Sequence, residues 1–159
     1  MKDSHRIEHF LDERQVPYEV IGHLPTITSQ HTAHAAHLEP ARLAKGVLLE
    51  GDDCVLVAMV PADQDIRIEK LQMELGRSLR LADEATVKDV FGDCDPGTVP
   101  GLPMAWGVET VWDDALLAQP DLHLELGDHR HLIHLETRKL QMALEDMPHC
   151  RFGGPRHLH

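Results

Sequence analysis

Two apolar runs near the middle of the chain place the strongest constraint on its fold. The first run covers residues 46–49 and the second covers residues 54–60, and between them Gly51 is followed by the acidic pair Asp52 and Asp53. Apolar runs without polar alternation are typical of strands that are buried on both faces. The short connection predicts that the two strands form an antiparallel hairpin.

Helical and strand-like segments are interspersed on both sides of this hairpin. Apolar spacing and capping residues predict helices over residues 3–14, 28–37, 66–75, 84–91 and from the cap Thr137 onward. Short strands are predicted over residues 18–21, 79–81, 110–112, 122–126 and 132–135. This order predicts an α/β fold of the α+β kind, a mixed β-sheet with flanking helices.

The length and the apolar pattern restrict the domain organisation and the location. A chain of 159 residues fits one domain, which we expect over residues 1–148, with a loose Gly-, Pro- and His-rich tail over residues 149–159. No apolar run approaches the roughly 20 residues of a membrane helix, and the charged first twenty residues hold no signal-peptide core. Three scattered cysteines favour a reducing compartment, so we expect a cytoplasmic protein with no membrane partner.

The charge balance restricts the kind of partner. Fifteen Lys and Arg residues against 27 Asp and Glu residues give a formal net charge of −12. This balance disfavours a protein that grips nucleic acid by bulk electrostatics, because phosphate binding needs basic patches. We therefore expect no DNA partner, although the balance leaves room for a small local basic patch.

Three segments carry residues suited to chemistry. Lys45, directly before a buried strand, is either a lysine with its head in water or an ammonium group at the mouth of a cleft. In the loop DPGTVPGLP, Gly97 would let a substrate approach the backbone, or the loop is an ordinary turn. In GDHRHLIH, alternation would put His129 and His131 on one strand face, as metal ligands, as substrate contacts or as exposed residues.

The histidines raise the question of a metal. His31, His34 and His37 are spaced along one predicted helix, but zinc usually takes a fourth ligand and no cysteine is nearby. We therefore expect no metal site and no cofactor, and we expect any ester hydrolysis to proceed without zinc.

Four segments, taken in order, resemble the YbaK and prolyl-tRNA synthetase-associated editing domain family. They are SQHTAHAAHLEPARLAKGVLLEG, VLVAMVPADQDIRIEKLQMELG with RLADEATVKDVFGDCDPGTVPGLP, WGVETVWDD, and LGDHRHLIHL. The resemblance covers roughly residues 16–146 and implies that family's mixed sheet with a cleft. One departure is Gly101, which stands where the family often has proline.

The resemblance also implies roles for individual residues. Lys45 matches the essential lysine of the family, and Gly97 matches the first glycine of its loop, so these two are the expected catalytic residues. The family's histidine near the substrate amino group matches either His129 or His131. The other expected substrate-binding residues are Thr26, Thr28, Thr98, Val99 and Gly127.

The implied function is hydrolysis of the ester in a mischarged aminoacyl-tRNA. The enzyme would act in trans on the acceptor end of a tRNA that carries a small, alanine-like amino acid. Such an ester is already activated, so that placing water and stabilising charge suffice. The alternative from another class is a non-catalytic module of the same fold that binds tRNA or a ligand and regulates.

Overall fold

A computed structural model of the chain describes residues 5–25 and 29–155. Its helices are α1 Arg6–Glu13, α2 Ser29–Ala35, α3 Ile68–Leu75, α4 Glu84–Val90, α5 Asp114–Leu117 and α6 Thr137–Ala143, with 3-10 turns at Pro40–Arg42 and Pro103–Trp106. The strands are β1 Glu19–Gly22, β2 Leu43–Glu50, β3 Val55–Pro61, β4 Gln64–Ile66, β5 Arg80–Leu81, β6 Glu109–Asp113, β7 Asp121–Glu125, β8 His131–Glu136, β9 His149–Cys150 and β10 Gly153–Pro155. Among the described residues, no helix is long and apolar enough to cross a membrane.

The predicted hairpin lies at the centre of a mixed sheet. Strands β2 and β3 pair antiparallel from Ala44↔Pro61 to Glu50↔Val55. The strand order is β1-β8-β7-β2-β3-β6-β9, with β5 also paired to β2, while β4 and β10 form a separate two-stranded sheet. The pairs β2–β7, β3–β6 and β6–β9 are parallel. The predicted fold class, a mixed sheet with flanking helices, is confirmed.

Both faces of the hairpin are buried, which explains its uninterrupted apolar runs. One face packs against α1 and the segment after α4; its core includes Ala44, Leu48, Val57, Met59, Ile7, Leu11, Phe91 and Trp112. The other face packs against α3; its core includes Leu49, Leu56, Ala58, Val60, Leu71 and Phe152. Alternate residues of each strand therefore point to different cores.

The C-terminal segment differs from the loose tail that we expected from residue 149. Strand β9 pairs with β6, and β10 pairs with β4. Between these two strands, the side chain of Phe152 is fully buried against the hairpin. Apolar burial and strand pairing thus hold residues 149–155 on the domain, and residues 156–159 lie outside the described part of the chain.

Asp113 anchors this segment from the end of β6. Its fully buried carboxylate accepts hydrogen bonds from the N–H groups of Phe152 (2.9 Å), Gly153 (2.6 Å) and Ala115 (2.8 Å). The guanidinium of Arg151 also donates to this carboxylate. Burial alone would raise the pKa of Asp113, but these four donors outweigh it and hold the pKa below its usual range.

Three predicted helix positions are wrong in detail. The helix predicted from residue 66 begins at Ile68, because Gln64–Ile66 forms β4. Helix α2 ends at Ala35, and His37 follows it with a φ of 57°, so His31, His34 and His37 do not share one helix. Thr137 is the first residue of α6 rather than its cap, because the cap position is taken by Glu136. The N–H of Thr137 instead donates to the carbonyl of Pro120.

Replacing Asp113 by Asn should lower the free energy of unfolding by about 2 kcal/mol at pH 7, since a charged acceptor of four hydrogen bonds is lost. The folded-state pKa of Asp113 lies below the unfolded value of ~3.9. Its stabilising contribution is therefore present above that pH and is lost as pH falls through the folded-state pKa. Urea unfolding at neutral and acidic pH measures both effects, and the gap between wild type and Asp113→Asn should narrow on acidification.

The matched control is Asp146→Asn, because Asp146 is exposed and its φ of 62° is one that asparagine tolerates. This control should unfold like the wild type at every pH. An Asp113→Asn protein as stable as wild type at pH 7 would contradict the anchoring role.

Candidate functional site

The sheet opens where β2 and β7 separate. These parallel strands pair only at Leu43↔His123 and Ala44↔Leu124. At its other end, β2 pairs on the same edge with β5, through residues 49 and 50. Within the described ranges, no strand pairs with that edge of β2 over residues 45–48. A split of this kind interrupts strand pairing at the centre of a sheet, and α/β sheets commonly bind ligands where the strand order changes.

The loop over residues 95–101 fills this split. The N–H of Gly101 donates to the carbonyl of Glu125 at the end of β7 (2.7 Å). On the β2 side, a Cβ added to Gly46 would lie only 2.9 Å from Cγ1 of Val99. The loop therefore contacts both strands that border the split.

Hydrogen bonds join this loop to the turn between β7 and β8. The buried hydroxyl of Thr98 donates to the carbonyls of Asp95 (2.6 Å) and Gly127 (3.2 Å). The N–H of Asp95 also donates to the carbonyl of Gly127 (2.8 Å). Three of the expected site residues, Gly97, Thr98 and Gly127, thus belong to one hydrogen-bonded unit.

Gly97 lies exposed at the tip of the loop. Its φ of 81° is in the left-handed region that favours glycine, and a Cβ added there would meet no atom within 4 Å. In the part of the chain that the structure describes, neither the N–H of Gly97 nor that of Val99 donates a hydrogen bond. Backbone donors of this kind are suited to binding a carbonyl oxygen or an anion.

The structure gives a physical reason for Gly101 where the resembled family often has proline. A Cβ at this position would lie 2.6 Å from Cβ of Leu124 and 2.7 Å from the backbone nitrogen of Glu125. Proline also has no N–H to donate to Glu125. In this chain, the close approach of the loop to β7 therefore requires glycine at position 101.

The two histidines of the turn have different surroundings. His129 lies before β8 with a φ of 60°, and its Nε2 donates to the carbonyl of Pro96 (2.9 Å). His131 begins β8, is exposed, and has its Nδ1 2.5 Å from the carboxylate of Asp128. The expectation that both histidines share one strand face is therefore wrong, because the turn continues through residue 130. Of the two, His129 is the one that bonds to the loop.

Asp128 shapes this turn. Burial would raise its pKa, but bonds from the side chain of His131 and from the N–H groups of Arg130 and His131 lower it. The net effect is a pKa below the usual range, so that the carboxylate stays ionised and holds the turn.

Lys45 lies on β2 at the border of the split. Its ammonium donates to the carbonyl of Gln64 in β4 (2.7 Å) and lies 3.7 Å from the carboxylate of Asp65, and its side chain is 23% exposed. The next residue, Gly46, faces Val99 of the loop on the opposite side of the sheet.

The expected substrate-binding residues Thr26 and Thr28 lie outside the described residues.

Sequence reasoning missed Glu125, which borders the split from the β7 side. Burial raises the pKa of its carboxyl, although a hydrogen bond from Thr32 of α2 (3.3 Å) and the nearby His129 oppose this shift. The available signal was an acidic residue directly after Leu124, near the end of a predicted strand. Perturbed carboxyl groups of this kind cluster at functional sites.

A cavity of 360 Å³ lies between α4 and the same loop. Its lining includes Gly97, Thr98, Val99, Cys94, Phe91 and Val87, but not Lys45. This mostly apolar cavity therefore borders the loop but does not reach Lys45.

Comparison with known proteins agrees with this fold. No curated protein sequence matches the chain. A hypothetical protein of known structure is 19% identical with a TM-score of 0.83, and the match covers 94% of this chain and 99% of that one. A protein described as a proposed trans-editing enzyme for prolyl-tRNA synthetase is 22% identical with a TM-score of 0.78, covering 95% and 96%.

A third similar structure is longer. A protein from Marinobacter aquaeolei VT8, described as a proposed signal transduction protein, is 21% identical with a TM-score of 0.72. The match covers 93% of this chain but 30% of that protein.

The family comparison extends the agreement from fold to sequence. The model of the aminoacyl-tRNA editing domain matches residues 23–143, a range that contains the split, the loop and the turn. This match confirms the resemblance drawn from the sequence. The chain belongs to the aminoacyl-tRNA editing domain family.

Proposed function

We propose that this protein is a trans-acting deacylase that hydrolyses the ester of tRNA mischarged with a small, alanine-like amino acid. Membership of the editing domain family supports an action on aminoacyl-tRNA. The observation that carries the proposal is the loop in the split. Beside the turn of His129, it presents the N–H groups of Gly97 and Val99, which donate to no group among the described residues.

Hydrolysis of an aminoacyl ester requires few catalytic groups. An aminoacyl ester needs a positioned water and stabilisation of the negative charge that develops on the carbonyl oxygen. The N–H groups of Gly97 and Val99 would supply that stabilisation from a fixed loop. No covalent nucleophile is required.

His129 suits the amino group of the substrate. Because its Nε2 donates to the carbonyl of Pro96, a neutral ring keeps Nδ1 as an acceptor. An acceptor at this place would take a hydrogen bond from the substrate ammonium. Lys45 would bind the terminal phosphate or ribose of the tRNA, exchanging its present contacts with β4 for the ligand.

The proposed partner is the acceptor end of tRNA, and the proposed location is the cytoplasm. With a formal charge of −12, binding would rest on a few local contacts. A small pocket for the amino acid would admit alanine and exclude larger side chains, as in a second sieve. Thr26 and Thr28 would complete this pocket together with Thr98, Val99 and Gly127.

A regulatory module that binds tRNA or a ligand without hydrolysis is the second candidate. One observation favours it: the similar Marinobacter protein, described as a proposed signal transduction protein, is matched over only 30% of its length. The same fold thus occurs as part of a larger chain with another proposed role.

A panel of tRNAs charged with alanine, serine, cysteine and proline separates the two candidates. We expect the protein to accelerate hydrolysis most with alanine and least with proline, because the proposed pocket selects by size. The measurement is the initial rate of loss of labelled amino acid against a buffer control. Binding to these tRNAs with no acceleration would overturn the deacylase and favour the module.

Replacing Lys45 by Ala should lower the deacylation rate about 100-fold, because a tRNA end held without this cationic contact is misplaced relative to the donors of the loop. Thermal unfolding should change little, because the ammonium is partly exposed. Lys70→Ala, which removes an exposed lysine of α3, is the matched control and should keep the wild-type rate. An unchanged deacylation rate for Lys45→Ala would show that Lys45 takes no part in the reaction.

Replacing Gly97 by Ala should lower the rate about 100-fold, because a displaced loop misaligns its donors by a fraction of an ångström or more. The matched control is Gly76→Ala at the end of α3, where φ is 68° and a Cβ likewise meets no atom within 4 Å. Both variants carry a similar strain of about 1–2 kcal/mol, so both should unfold at similar temperatures. Equal activity of the two variants would contradict the role of the loop.

A further inference from the structure

A second group of functional side chains lies at the start of β7, away from the loop. Asp121 and His123 are two residues apart on β7 and therefore point to the same face. His134 of β8 stands directly opposite His123 across the sheet, and Glu19 of β1 stands directly opposite His134. We name Asp121, His123 and His134 the β7–β8 cluster.

The three side chains of the β7–β8 cluster converge. One ligand atom of each lies within 4.8 Å of the others. The Nε2 atom of His134 is 2.6 Å from Oδ2 of Asp121, and the rings of His123 and His134 are stacked with centroids 4.5 Å apart. Two imidazoles and one carboxylate form a donor set typical of Zn²⁺ and similar divalent transition metals.

The state of His123 is an independent indication of a ligand. This residue is only 7% exposed, and its Nδ1 is buried with no hydrogen-bond partner among the described residues. Buried side-chain nitrogen atoms are nearly always paired, so an orphan of this kind calls for an explanation. An ion coordinated through this Nδ1 would supply one.

The groups behind the cluster are arranged as they are around bound metals. The Nδ1 atom of His134 lies 2.6 Å from the carboxylate of Glu19, which orients the ring with Nε2 toward Asp121. Histidine ligands commonly donate their other ring nitrogen to a carboxylate in this way. Arg42 donates to Oδ1 of Asp121 (2.9 Å), leaving Oδ2 for the cluster.

The charges also favour a cation. If Nδ1 of His134 donates its single proton to Glu19, Nε2 and Oδ2 of Asp121 are two acceptors only 2.6 Å apart. Two acceptors at this distance repel each other unless a cation or a second proton lies between them. With neutral imidazoles, Asp121 and Glu19 outweigh the single charge of Arg42.

We propose that Asp121, His123 and His134 bind one divalent transition metal ion of the zinc class, with water completing its coordination. This site would cross-link β7 and β8 and would tie β1 to them through Glu19. It revises our expectation of a chain without a metal, and it is independent of the proposed deacylation, which uses other residues.

The experiment uses tag-free protein from which metal has been removed with a chelator. Co²⁺ is titrated into this protein, because its visible absorption reports inner-sphere coordination. Zn²⁺ is then added to displace the Co²⁺. The wild type should take up one equivalent with an absorption band, and Zn²⁺ should abolish the band. His134→Gln and Asp121→Asn should lose it while unfolding as cooperatively as the wild type. We prefer His134→Gln to His123→Gln because the ring of His134 is more exposed, so that replacing it disturbs the core less. The test therefore does not depend on whether His123→Gln folds.

The matched control is His37→Asn, since His37 is exposed and lies outside the β7–β8 cluster with a φ that asparagine tolerates. It should retain the band. Glu19→Gln should weaken Co²⁺ binding about 10- to 100-fold, the usual effect of losing a carboxylate that orients a histidine ligand. The absence of a band in the wild type would overturn the site, and so would a band that persists in both His134→Gln and Asp121→Asn. In either case, a second proton on His134 would explain the 2.6 Å contact between its Nε2 and Oδ2 of Asp121.

Discussion

The structure depends on the burial of the β2–β3 hairpin on both of its faces. Burial of most side chains on both faces leaves ligands little access to the hairpin except at its edges and at Lys45, whose side chain is 23% exposed. One edge of β2 is occupied by β3 over residues 44–50. On the other edge, β7 pairs with the start of β2 and β5 pairs with its end. The loop over residues 95–101 fills the space between β7 and β5. The position of the candidate site thus follows from how the sheet is assembled around one hairpin.

Features set by neighbouring residues could be predicted from the sequence. The hairpin agrees with expectation, and so does the end of α3 at Leu75, before Gly76 with its positive φ. The start of α4 at Glu84 also agrees, and Asp83 caps it with a carboxylate that accepts from the N–H of Thr86 (2.8 Å). Each depends on contacts between residues that are close in the chain. The order of the predicted helices and strands indicated the fold class on the same basis of local pattern.

Features set by distant contacts could not be predicted. The Gly and Pro content of the C-terminal segment predicted an unpacked tail. In the structure, hydrogen bonds to Asp113, about 40 residues away in the chain, hold this segment on the domain. Alternation suggested that His129 and His131 share a strand face, but the turn at Asp128 delays the start of β8. The bond between Thr98 and Gly127, and the bond from Thr32 of α2 to Glu125, likewise have no signature within their own segments.

Strand β7 connects the two regions that carry chemistry. Its last residue, Glu125, accepts the hydrogen bond of Gly101, and the turn that follows it bonds to Thr98, so the position of the loop depends on the register of β7. Its first residues carry Asp121 and His123, which face His134 across the same β7–β8 pairing. A one-residue slip of β7 would turn both sets of side chains to the wrong face of the sheet. Cross-strand contacts at the start of β7 therefore fix the register on which the loop geometry at its end depends.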